Sequence, residues 1–294
     1  MQRRPEMTPS LSGAGKIALS FFIWSTWAIF FRGLGLPVIT LTFYLTALTA
    51  PVAFLCAKAF KTPLGKPTFP LFLMGATLLL NDLTFFYAIE KTTVANALFA
   101  HHLSPVFVAI LAPLLIKEKP LAMTPLSVGL SLFGLYLILP ENPFAIDGAL
   151  IGSLSGIASA LIYGCLVIMM RKWAGGIDRL RFIFWQNLTV ALLLLPFAVF
   201  GPVPQSGDGF PLFILASLHS VVVPLIYLSG IRVVSAQVAS IMGYIEPLGA
   251  VLLAGLLLGE KMPQLAWLGG ILIISGGALL VYEETKRNAR VASA

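Results

Sequence analysis

Ten apolar blocks, each 18 to 25 residues long, constrain this chain more than anything else in it. They fall at 16–33, 38–58, 69–89, 92–116, 122–139, 148–170, 181–200, 210–230, 234–257 and 264–282. A helix needs about 20 apolar residues to cross a hydrocarbon core. The connections between blocks are short and carry proline, glycine or charge. Of the 294 residues, 58% are hydrophobic and only 11% charged, which excludes an ordinary soluble domain with roughly a quarter of its residues charged. The chain is expected to be an all-α integral membrane protein of ten transmembrane helices, with the lipid bilayer as solvent for most of its surface.

The net charge of +7 does not point to nucleic acid, because the basic residues form neither a patch nor a basic helix. They sit between the blocks. Ten spans put both ends on one side, and 16 of the 19 Lys and Arg residues lie on that side; only Arg32, Lys91 and Lys261 lie opposite. By the positive-inside bias both termini are expected in the cytoplasm. The first residues read as a polar leader of about 16 residues without a cleavage pattern, so the first span is expected to remain. Cys56 and Cys165 lie in apolar segments far apart in sequence and read as packing thiols.

Laid on itself, the chain repeats. Phe69-Pro70-Leu71-Phe72 recurs as Phe210-Pro211-Leu212-Phe213. At a shift of 142, Leu103-Ser104-Pro105 meets Ile245-Glu246-Pro247, Lys117-Glu118-Lys119 meets Gly259-Glu260-Lys261, and Gly134 meets Gly276. At a shift of 139, Trp24 and Arg32 meet Tyr163 and Arg171. The halves are expected at 1–140 and 141–294, five spans each. An odd number inverts the second half, a plan common in secondary transporters that places the site between the halves.

The stretches SPVFVAILAPLLIKEK and IEPLGAVLLAGLLLGEKMPQLAWLGGILIISGGALLVY resemble the helix-four-to-five and helix-nine-to-ten signatures of the drug/metabolite transporter superfamily, EamA type. With the aligned first and sixth spans, the resemblance covers essentially the whole chain. Trp24-Ser25-Thr26 followed by Arg32-Gly33 is similar to the first helix of bacterial aromatic amino-acid exporters. The resemblance implies ten helices around a central cavity, a bacterial inner-membrane location, and export of amino acids or other small metabolites.

Ionisable groups within membrane spans are costly and are functional candidates by default. Here they are Asp82, His101, His102, His219 and Glu246, accompanied by Asn81, Asn96, Gln186, Asn187 and Gln237. At about 100° per residue, Glu246 shares a face with Ala239, Gly243 and Ala250, which the repeat maps onto Ala97, His101, Ser104 and Val108. That face is either a small-residue packing surface, with Glu246 bonded to a neighbouring helix, or a site around the pseudo-twofold axis. Pro105 and Pro247 each remove a backbone donor and free a carbonyl one turn earlier, so both helices are expected to break there. Asp82, beside Asn81, reads either as a solvated outer position or, through the resemblance, as cavity wall. His219 reads as a core histidine with its bonds satisfied, although it stays on the list of cavity candidates with Tyr244.

Trp24 and Tyr163 are partners in the repeat. The line Gly148, Gly152, Gly156, Ala160 and Gly164 permits close helix approach, and Tyr163 beside it either lines the cavity or packs. His101 and His102 are adjacent, about 100° apart on a helix, whereas helical metal pairs stand three or four residues apart; no metal site is expected. No Walker, hydrolase or kinase pattern appears, so no cofactor, ATP or enzymatic activity is expected, and no motif marks an obligate protein partner. The expected function is export of aromatic and other neutral amino acids by alternating access. The alternatives are a different transported class, such as drugs, nucleosides or sugars, and a membrane-embedded enzyme.

Overall fold

The structure, a computed structural model, describes residues 9–27, 34, 36–139, 150–173, 175–205, 207–259 and 263–292. Ten apolar helical segments account for the described chain, and no strand occurs among the described residues. They are α1 (Pro9–Trp24), α2 (Val38–Ala59), α3 (Phe69–Lys91), α4 (Val94–His101 and Ser104–Ile116), α5 (Thr124–Ile138), α6 (Leu150–Trp173), α7 (Arg179–Ala198), α8 (Gly209–Ile231), α9 (Ala236–Ile241, Met242–Tyr244 and Ile245–Leu258) and α10 (Ala266–Ala292). Eight are long and apolar enough to span a membrane, and α5 is a shorter apolar helix. Phe60, Phe69, Leu114, Phe200 and Phe210 are all more than 70% exposed. Such a surface fits hydrocarbon rather than water.

Packing follows the repeat. α1 lies against α8 and α6 against α3; the second half of α4 lies against α6, and that of α9 against α1; α2 pairs with α7 and α5 with α10. Exchanging the halves turns this set of pairs into itself. The α5–α10 contact gives the direction of the symmetry. A Cβ on Gly134 would lie 2.6 Å from the Gly269 carbonyl oxygen, and one on Gly276 would lie 2.8 Å from that of Ser127. At the shift of 142 these two contacts are one contact seen twice, as a twofold requires. Positions rising along α5 meet positions falling along α10, so the equivalent helices are antiparallel. The axis therefore lies across the helices, and the repeat is inverted.

Local chemistry repeats as well. Thr93 and Ser235 are equivalent and both are N-caps, accepting from the backbone N–H of Asn96 and Val238. Lys117 and Gly259 are equivalent and both end their helices in the left-handed region, at φ 55 and φ 67. Glycine adopts that conformation freely, whereas lysine does so at a cost.

Two boundaries depart from the expectation. α1 begins at Pro9, inside the stretch read as a polar leader. Gly13 lets it approach the end of α8, where an added Cβ would meet Val233 and the Gly230 carbonyl, and the Ser10 hydroxyl bonds that of Thr285 at 3.2 Å. α10 runs ten residues beyond its apolar block to Ala292, because Glu283, Glu284 and Arg287 bond the neighbouring connections. Arg32, Gly33, Gly148, Glu260 and Lys261 lie outside the described residues.

Candidate functional site

Both broken helices break at equivalent places. α4 loses its helical path at His102-Leu103, just ahead of Ser104-Pro105, and α9 tightens into a 3-10 turn at Met242–Tyr244 ahead of Pro247. The two breaks touch. Tyr244 Oη donates to the His102 carbonyl at 2.6 Å, and their rings lie 5.6 Å apart. Residues 102 and 244 are themselves equivalent, so this bond lies at the pseudo-twofold axis. Tyr244 is fully buried there. It joins the halves and is less open than a cavity-lining reading implies.

On one side of this junction a chain of hydrogen bonds leads outward. His101 Nδ1 lies 2.8 Å from Ser159 Oγ on α6; the Ser159 hydroxyl donates to Asn81 Oδ1 at 3.0 Å; Asn81 Nδ2 donates to Asp82 Oδ1 at 3.2 Å. Asp82, with Glu90, Ser155 and Thr42, borders a cavity of about 700 Å³ between the ends of α2, α3, α6 and α7 that carry few basic residues. The His101 ring also packs on Phe85 and Tyr163, at 4.7 and 5.3 Å between centroids. His102 turns away and donates from Nδ1 to the Leu98 carbonyl, so the adjacent imidazoles serve different partners.

Across the junction stands an aromatic group. Phe21, Trp24 and Tyr227 lie within 5.8 Å of one another by ring centroids. Tyr163 lies within electrostatic reach of both Tyr227 and Glu246. Glu246 is half-buried, at the start of the helix that resumes after the break, and makes no hydrogen bond or ion pair to a described residue. The expected bond to a neighbouring helix is therefore absent among the described residues. The Tyr227 hydroxyl is buried and likewise without a partner among them.

His219 is buried in a π-helical stretch of α8, Leu215–Val222. Its Nε2 lies 2.8 Å from Thr26 Oγ1, and its carbonyl accepts from Trp24 Nε1 at 2.9 Å. It fastens α1 to α8. Ser104 is also buried, its carbonyl turned to Gly164 where α4 meets α6. Gly243 is covered by the Phe21 ring. The expected common face thus splits: the His101 ring packs on Phe85 and Tyr163 and Glu246 is half-buried without a bonded partner among the described residues, while Ser104 and Gly243 are packed away. Gly152 and Gly156 admit Thr92 and Ala100 closely, so the glycine line of α6 serves packing.

The basic end is closed by carboxylates that cap backbone. Glu118 accepts from Ala236 N–H at 2.9 Å and approaches Arg171 at 3.6 Å. Glu284 accepts from the N–H and hydroxyl of Ser235, at 2.9 and 2.7 Å, and Glu283 from the N–H groups of Ala122 and Met123, at 2.7 and 2.8 Å. Gln237 Oε1 accepts from Thr124 Oγ1 and Leu121 N–H. Burial raises the Glu118 carboxyl above its ordinary value, against the opposing pull of Ala236 N–H and Arg171.

Sequence reasoning passed over Ser159, Tyr227 and Glu118. Ser159 carried a signal, since it is equivalent to Ser20 at the shift of 139, and Ser20 Oγ faces the Val223 carbonyl just as Ser159 faces Asn81, its counterpart at 142. Tyr227 carried none, because aromatic residues in membrane helices ordinarily meet lipid.

The model of the EamA-like transporter family matches residues 11–139 and again 150–282. An uncharacterized inner membrane transporter, YicL, of Salmonella typhimurium is 29% identical over 220 residues, 72% of this chain and 71% of its own. An uncharacterized transporter of Archaeoglobus fulgidus is 29% identical over 274 residues, 92% of this chain and 97% of its own. A solved crystal structure superposes with a TM-score of 0.82 at 18% identity, over 94% of this chain and 98% of that one, and shares its fold.

Proposed function

Because this chain belongs to the EamA-like transporter family, and so is a multi-pass membrane transporter and not an enzyme, we propose that it exports aromatic and other neutral amino acids across a bacterial inner membrane. The observation that carries the proposal is the Glu246 carboxylate, without a bonded partner among the described residues and within electrostatic reach of Tyr163, which is itself in reach of Tyr227 beside Trp24. An anion among aromatic faces suits a ligand with an ammonium next to an apolar or aromatic side chain. The buried Tyr227 hydroxyl offers a donor to the ligand carboxylate. Glu246, Trp24, Tyr163 and His101 are assigned to binding; Asp82 and Asn81 border the way out, and Pro105, Pro247, Tyr244 and His219 hold the helices in place.

The halves 1–140 and 141–294 alternate about the junction at His102 and Tyr244. The capped, closed basic end is placed in the cytoplasm with both termini, and the cavity beside Asp82 opens on the opposite face. In this arrangement the structure is the releasing state. The test is flux in proteoliposomes against a panel of labelled amino acids, nucleosides, sugars and hydrophobic cations, at equal and unequal pH. Movement of amino acids alone supports the proposal. Movement of another class alone replaces it, and chemical change of any of these compounds in detergent sinks the transport reading.

A further inference from the structure

We propose that Ser159, Asn81 and Asp82 are positioning residues that fix the protonated nitrogen of His101, so that its Nε2 is presented as a hydrogen-bond acceptor to an N–H group of the transported molecule. This rests on the transport reading for the identity of the ligand; the chain of bonds stands without it.

The direction of the chain follows from what each group can give. An ionised carboxylate only accepts. Asp82 Oδ1 therefore receives an N–H of the Asn81 amide, which turns Asn81 Oδ1 towards Ser159. Ser159 has one hydroxyl proton and donates it to that oxygen, so the lone pairs of Oγ are what remains for His101. At 2.8 Å His101 Nδ1 must then carry the proton. In the neutral ring the other nitrogen is left as an acceptor. Nε2 makes no hydrogen bond to a described residue. The ring lies against Tyr163, which is in reach of Glu246. Two acceptors, one charged and one neutral, thus favour a ligand rich in N–H groups, such as an ammonium or an indole.

Protonation of Asp82 reverses the chain. Its new O–H donates to the Asn81 oxygen, the amide N–H then donates to Ser159, and the Ser159 hydroxyl donates to His101 Nδ1. Nδ1 loses its proton to solvent and Nε2 takes one from it, so the net uptake is the single proton on Asp82. The amide passes on orientation only. The titratable groups on the helices packed around Asp82 are His101, His102 and Tyr163 on the inner side. Tyr87, Glu90 and Lys91 lie on its own helix towards the outer end. Cys165, Arg171, Lys172, Arg179 and Arg181 lie at or towards the opposite ends of α6 and α7. An acidic exterior thereby turns the acceptor into a donor and expels an N–H ligand.

The test is nitrogen NMR of ¹⁵N-histidine-labelled protein in nanodiscs, with the His101 signals assigned by His101→Gln. In wild type at alkaline pH, Nδ1 is expected to be protonated and Nε2 bare, and the assignment should exchange as pH falls. Ser159→Ala should move the proton to Nε2 at alkaline pH, and Asp82→Ala should remove the pH dependence. Nε2–H at every pH in wild type overturns the proposal, as does an Nδ1–H unchanged by either substitution. The wild-type series needs no variant to fold. No substrate enters this measurement, so its failure is separable from failure of amino-acid flux in the proteoliposome panel.

Discussion

α4 and α9 share an N-cap, a central break, a proline and a left-handed end, yet they differ where chemistry is possible. His101 is matched by Gly243 and Ser104 by Glu246. The bulk is exchanged between helices: Phe21 of α1 covers Gly243, while the counterpart of Phe21 on α6 is Ala160 and the large side chain there is His101. Packing needs the sum of volumes at each interface. Where one half carries a proposed binding residue, the other half supplies the filler. The duplicated scaffold fixes positions, and the departures from duplication carry the groups assigned to binding in the proposed function.

The sharpest way to break this comparison is to neutralise one half of the unequal pair. Glu246→Gln keeps size and hydrogen bonding but removes charge. A hydrogen bond to a charged group contributes about 1.5–3 kcal/mol against about 0.5–1.5 kcal/mol for a neutral one, so binding of the proposed amino-acid substrate should weaken about 5- to 10-fold, read by scintillation proximity. Ser104→Ala should change it less than about threefold. If Glu246 instead couples protons, binding survives while stimulation of flux by a pH gradient disappears. Wild-type values for both would make Glu246 structural, and equal effects at 104 and 246 would end the asymmetry argument.

The symmetric part is probed at α5 and α10. Gly134→Ala and Gly276→Ala each push a methyl group against a backbone carbonyl. Overpacking costs about 1–3 kcal/mol, and the two substitutions should lower the thermal midpoint by similar amounts in detergent. A large inequality would show that the twofold is only approximate there.

A smaller effect is expected at the closed end. Glu118→Ala leaves Ala236 N–H without its acceptor and Arg171 without its carboxylate, although Arg171 still donates to the Arg232 carbonyl. Maleimide labelling of a cysteine at Val238, in a cysteine-free background, should then rise about tenfold, equivalent to ~1.4 kcal/mol. Glu118→Gln keeps an acceptor and should stay closed. The pH dependence has a definite sign. Burial raises the Glu118 carboxyl in the closed form, so closure is fullest below the ordinary carboxyl value and weakens as pH rises through the raised one. Labelling of wild type should quicken across that window, and that of Glu118→Gln should not.

The smallest effect should come from making the halves more alike. Lys117 sits at φ 55 where its equivalent is Gly259. Left-handed backbone costs a non-glycine residue about 1–2 kcal/mol, while glycine loses more chain entropy, about 0.5–1 kcal/mol. Lys117→Gly should stabilise by about 0.5 kcal/mol in urea unfolding. A destabilised variant would show that the Lys117 side chain holds the connection.

Ten apolar blocks, the inverted repeat and the breaks at Pro105 and Pro247 were legible in the chain. Each depends on local composition or on a comparison of the chain with itself, and lipid leaves few alternatives to whole helices. The intramembrane polar residues were legible too, because each is costly on its own. Their partners were not. Whether Glu246 meets a bonding neighbour or open space, and whether Ser104 faces a cavity or α6, depends on rotations and crossings of helices far apart in sequence. Ser159 is an ordinary small residue until α6 brings it between His101 and Asn81, and Glu118 is an ordinary loop charge until α9 begins beside it. Sequence determined which helices exist and how the halves are related; tertiary packing alone decided which polar groups meet, because hydrogen bonds form over about 3 Å and a hydrophobic pattern sets no position that finely.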